Sequence, residues 1–120
     1  MTLLGEPGVA TSGQPALTAV RDECVAAFGS DLVAYLLGAG STGRPLRTWR
    51  LAEAVATRVG ELRLRAAHAV LAQFKDAEHA RAWLRRPNTD LDRVPPASVL
   101  RTATTMRGVL PVIEAAELPT

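Results

Sequence analysis

Beyond residue 15, apolar residues recur every three or four positions over most of the chain, the spacing that gathers them on one face of a helix. Leu17, Val20, Cys24 and Phe28 share such a face, on a helix that Pro15 opens and Gly29 ends. Ser30 reads as the cap of a short second helix carrying Leu32, Val33, Leu36 and Leu37, closed by Gly38. After a loop over 39–44, Pro45 starts a third helix with Leu46, Trp49, Ala52, Ala56 and Val59 inward, and Gly60 punctuates it. A fourth helix over 61–75 turns Leu64, Leu71 and Phe74 inward, and Asp76 caps a fifth that carries Ala80, Trp83 and Leu84. Pro87 stops that helix, and the stretch to Pro96 reads as an ordered loop. Two helical pieces follow, near 97–102 and 104–116, the second bent at Gly108 and Pro111. Residues 1–14, rich in Gly, Pro, Ser and Thr without an apolar period, read as a mobile leader.

The expected architecture is therefore all-α: a compact bundle of short helices, with a leader over 1–14, a helical region over 15–75 and a C-terminal region over 76–120 in one continuous fold. Composition agrees. Hydrophobic residues make up 48% of the chain but aromatics only 4%, so the core must be built from Leu, Val and Ala, which suit helix against helix. One cysteine excludes an internal disulfide, and no paired metal-ligand spacing is present. Neither a secretion signal nor an apolar run of roughly 20 residues appears, so a cytoplasmic protein without a membrane span is expected.

Chemistry-bearing motifs are few. Gly38-Ala39-Gly40-Ser41-Thr42-Gly43 satisfies the glycine spacing of a dinucleotide loop, with Glu61 near the offset of a ribose-binding acid. The second parallel strand of such a unit would have to fall where 62–74 has helical periodicity, so a helix–turn–helix connection is the better reading. His68 and His79 are too far apart for one metal pair. Ser98 lacks a glycine elbow and a nearby histidine, and Cys24 sits on an apolar stripe as a small hydrophobe. No catalytic residue, cofactor or metal is expected, and the chain does not read as an enzyme.

Charge is more informative. The net charge is only +2, but thirteen of the fourteen basic residues are arginine. Arg44, Arg47 and Arg50 recur every third residue around the start of the third helix, and Arg58, Arg63 and Arg65 extend the positive region against Glu53 and Glu61. Such a helix, entered through a glycine turn, is what a helix-turn-helix protein presents to operator DNA; a solvated basic face is the alternative.

The most specific pattern is Trp83-Leu84-Arg85-Arg86-Pro87-Asn88-Thr89-Asp90-Leu91, followed by Pro95, Pro96, Val99 and Leu100. Trp83 anchors a helix end, Pro87 breaks it, Asn88 suits a left-handed turn, and Leu91 and Leu100 pin the loop to the core. This stretch resembles the toxin-binding domain of the Xre/MbcA/ParS antitoxins, although members often carry glycines where Asp92-Arg93 stand here. Residues 28–49 resemble the degenerate Xre-like half of the same proteins. The resemblance implies an antitoxin that dimerises within a larger complex and inhibits a RES-type, NAD-depleting toxin, with its C-terminal region over the mouth of the toxin's active site. It nominates Trp83, Arg85, Arg86 and Asn88 as toxin-binding, together with a tail over 111–120 whose Val112 and Ile113 are apolar anchors and whose Glu114 and Glu117 meet basic groups that bind the phosphates of NAD. It also implies autorepression of the operon; a stand-alone Xre-type DNA-binding regulator is the rival reading. On sequence, 111–120 lacks any stop or cap holding it to the bundle and is expected to order only on the partner.

Overall fold

A computed structural model describes residues 16–39, 51–55 and 57–118, and these form helices with no strand among them. In chain order they are α1 (Leu17–Phe28), α2 (Ser30–Leu36), α3 (Leu51–Val55), α4 (Arg58–Leu71), α5 (Ala77–Arg85), a 3-10 turn (Thr89–Leu91), α6 (Pro96–Thr102) and α7 (Met106–Glu117). The expected leader, the glycine loop beyond Ala39, and Arg44, Arg47 and Arg50 lie outside the described residues.

The α1 stripe is as the spacing predicts: Val20, Cys24 and Phe28 are buried. Gly29 then turns the chain at φ +88°, a left-handed value that favours a residue without a Cβ. It is Gly29, and not Ser30, that occupies the cap position of α2, whose Val33 and Leu36 are buried. Helix α4 is the central element and packs most extensively against α1 and α7. Its start differs from the expectation that Gly60 breaks the chain there. Thr57 is the N-cap, its hydroxyl accepting the Gly60 N–H at 2.8 Å and donating to the Ala54 carbonyl at 2.8 Å. Gly60 lies inside the first turn because the α3 backbone crosses it closely: a Cβ there would fall on the Ala54 carbonyl oxygen.

Asp76 caps α5 as expected, and accepting the His79 backbone N–H holds its carboxyl below the usual value. Ala80 and Leu84 face the core. The helix expected near 104–116 is present as α7, running through Pro111 and capped by Thr105, with Val109, Val112, Ala115 and Ala116 buried. The departure is that residues 111–118 are not a loose tail, since α7 packs on the core as far as Glu117. Proline at the sixth helical position leaves the Arg107 carbonyl without its usual donor, and Pro111 lies on the exposed face, where water can satisfy that carbonyl.

Among the described residues no polar or charged side chain is buried. Polar side chains instead tie helix ends together. Arg101 donates to the carbonyls of Tyr35 (2.6 Å) and Ala39 (2.8 Å) at the end of α2, and its guanidinium lies 4.3 Å from the Tyr35 ring centroid. Arg63 donates to the Ala103 carbonyl that follows α6 (2.8 Å). Both tie a side chain of one helix to backbone carbonyls at the end of another.

Candidate partner-binding surface

The loop that joins α5 to α6 is shaped by two residues at positive φ, and neither is Asn88. Asn88 is extended (φ −124°), and its side chain accepts the Asp90 N–H at 2.8 Å to start the 3-10 turn. The left-handed residues are Asp92 (φ 58°) and Arg93 (φ 65°), a conformation that glycine adopts at least cost. Arg93 N–H reaches back to the Asn88 carbonyl at 2.8 Å, and Asn88 N–H to the Val94 carbonyl at 3.3 Å, which closes the loop. Leu91 pins it to the core at 8% exposure. The glycine-like backbone is thus kept at a cost in strain. Left-handed geometry costs a side-chain-bearing residue about 1–2 kcal/mol. The entropy glycine returns to the unfolded chain offsets about 0.4–1 kcal/mol of any relief. Arg93→Gly is therefore expected to stabilise the chain by roughly 0.5 kcal/mol, read as a rise of a few degrees in Tm. A fall in Tm would show that the Arg93 side chain contributes a contact that outweighs the strain.

This loop and the end of α7 enclose a groove of about 310 Å³, lined by Trp83, Arg86, Pro87, Asn88, Thr89, Asp90, Ala115 and Leu118. Three nominated residues, Trp83, Arg86 and Asn88, therefore come together. Trp83 is half-buried, not enclosed as the reading of a buried helix anchor implied, and packs on Phe74 with ring centroids 5.7 Å apart. Arg85 faces a different cleft, lined by α1, α2, α5 and α6 residues. Glu114 and Glu117 are exposed on α7 beside the groove residues Ala115 and Leu118.

Val112 and Ile113 are placed otherwise than nominated. Val112 is 0% exposed, and Ile113 packs partly buried against the same core, so both hold α7 down. The sequence reading missed Leu118, 49% exposed at the groove edge, and Leu110, 41% exposed on the outer face of α7. Following the helical period of 104–116 on to Leu118 would have found them, since 110, 114 and 118 recur every fourth residue opposite the buried set.

His68 and Ser98 have structural partners. His68 Nε2 meets Glu23 Oε1 at 2.7 Å across α4 and α1, and Ser98 shares a 3.0 Å hydrogen bond with the Tyr35 hydroxyl. Burial, with the Glu23 charge beside it, pushes the Cys24 thiol up to about 12, so it stays protonated and unreactive in the core. No group of three or more His, Cys, Asp or Glu that could hold a metal ion occurs among the described residues. Among them, too, no helix is long and apolar enough to cross a membrane.

No curated protein and no solved structure matches the chain. Residues 66–117, from the middle of α4 to the end of α7, match the family model described as the antitoxin Xre/MbcA/ParS C-terminal toxin-binding domain. The matched stretch spans just under half of the chain and contains every residue of the groove except Leu118, so this part of the chain is similar to an antitoxin toxin-binding domain.

Proposed function

We propose that the chain is an antitoxin that neutralises a RES-type, NAD-depleting toxin by covering its active-site mouth with the groove and the outer face of α7. The observation that carries this reading is the coincidence of the matched domain with an open groove: Trp83 and Arg86 leave part of their surface outside the core, beside an exposed α7 face. A half-buried tryptophan beside an arginine has the composition of a binding hot spot. Glu114 and Glu117, three residues apart on a packed helix, present two carboxylates at fixed spacing to the basic groups that hold the phosphates of NAD. Holding them on a helix avoids the ordering cost that a disordered tail would meet on binding.

The same reading carries a homodimer within a larger toxin–antitoxin complex, and repression of the operon through Arg44, Arg47 and Arg50. Co-expression with a RES-type toxin tests the core of it. Cellular NAD is expected to stay at the level of cells without the toxin. A fall as steep as with the toxin alone contradicts the reading.

A further inference from the structure

We propose that the cleft between the α1–α2 turn, α5 and α6 is a second toxin-binding surface, which takes an acidic segment of the toxin against Arg81 and Arg85; this rests on the toxin-neutralising reading above. The cleft has a volume of about 860 Å³, enough for several side chains of a partner. Arg81 and Arg85 stand four residues apart on α5 and both line it, so their guanidinium groups lie one helical turn apart on one wall. Neither side chain makes an ion pair or hydrogen bond among the described residues. Arg21, Arg63, Arg65 and Arg101, by contrast, are each engaged by a carboxylate or a carbonyl.

One acid lines the cleft, Asp31, and it sits in the first turn of α2, where its charge offsets the positive end of the helix. The α5 wall is thus left with two cations and no counter-charge on α5 itself at the cleft. The facing wall offers Leu32 and the 38% exposed Tyr35 for the apolar part of the same segment. Two arginines one turn apart recognise paired carboxylates bidentately, and a tyrosine beside them adds contact area at little entropic cost. Arg85 lines the cleft and its neighbour Arg86 lines the groove, so a single partner surface can engage both around the end of α5.

The test is the affinity of the purified full chain for a purified RES-type toxin that it neutralises on co-expression, at low and high salt. Arg81→Glu with Arg85→Glu is expected to melt as the parent does and to bind about 30-fold more weakly at low salt, the gap narrowing as salt screens the charges. Should the reversal damage folding, Arg81→Gln with Arg85→Gln replaces it, with a loss of about 10-fold expected. Binding by a folded variant within about twofold of the parent at low salt overturns the cleft while leaving the groove reading intact. Loss of affinity here, with Arg86→Glu in the groove binding as the parent does, supports the cleft and contradicts the groove. A parent chain that does not bind the toxin overturns both.

Discussion

A chain ending at Leu110 is expected to lose its cooperative unfolding transition. Removing residues 111–120 takes away the fully buried Val112, the buried Ala115 and Ala116, and the partly buried Ile113, and uncovers the faces of α4 and α6 on which α7 packs. Burying one valine side chain is worth about 1.5–3 kcal/mol, and the two alanines and Ile113 add to it. That approaches the whole stability of a small domain, about 5–15 kcal/mol. Circular dichroism through a thermal melt reads the outcome: a broad, non-cooperative decline for the truncated chain. Glu114→Ala with Glu117→Ala, which changes only the exposed face of the same helix, should melt close to the parent. If the truncated chain melts as sharply and as high as the parent, the packing of α7 described above is wrong, and the stretch is a tail after all.

The second large effect is at Gly60. Glycine inside a helix ordinarily costs about 1 kcal/mol relative to alanine, so on propensity alone Gly60→Ala should stabilise α4. Here the new Cβ would fall on the Ala54 carbonyl oxygen, within 2.8 Å of the Thr57 hydroxyl that caps the helix. The atom met is backbone, so relief requires moving the α3–α4 turn and losing the cap. Overpacking of this kind costs typically about 1–3 kcal/mol, and the lost cap about 1 more, so the clash outweighs the propensity gain. Gly60→Ala is expected to destabilise by roughly 2–3 kcal/mol in denaturant unfolding. Gly108→Ala is the control, because its Cβ would stand 3.1 Å from the Ala103 Cβ, near enough to need only a small shift. It should lie close to neutral. Equal effects at both glycines would remove the argument for a close α3–α4 crossing.

These two cases show where the sequence was legible. A period of three to four with one dominant apolar stripe located α1, and the Asp76 cap and Pro87 stop bounded α5, because each of those signals acts within a single turn. Gly60 misled because glycine marks a break and a close approach with the same letter, and only the tertiary contact with Ala54 separates them. At Pro111 two readings stood side by side, a helix over 104–116 and a tail over 111–120 that orders only on a partner, and the helix is the one observed. Its position at the exposed side of α7 lets the helix continue, and the buried spacing of Val109, Val112 and Ala116 was the stronger signal. The loop beyond α5 was located correctly, yet its left-handed residues are Asp92 and Arg93, not Asn88, whose side chain is committed to the 3-10 turn. Trp83, Arg86 and Asn88 were nominated from the motif and converge, but that Leu118 joins them depended on α7 folding back. The arginines at 44, 47 and 50 lie outside the described residues, so the operator-binding expectation has no structural counterpart.

Trp83→Ala gives the most direct test of the central claim, that the α5–α7 groove grips a toxin. A fully buried tryptophan would cost about 3–5 kcal/mol on truncation, but Trp83 is half-buried, so a smaller loss, about 1–2 kcal/mol, is expected and the chain should remain folded. A binding hot spot, by contrast, loses 2 kcal/mol or more, which is about 30-fold in Kd. The measurement is the Kd of the purified, folded variant for a toxin that the parent chain neutralises, with a thermal melt on the same sample. The account predicts a cooperative melt and binding weakened by about 30-fold or more. A folded Trp83→Ala chain that binds the toxin as tightly as the parent would contradict it.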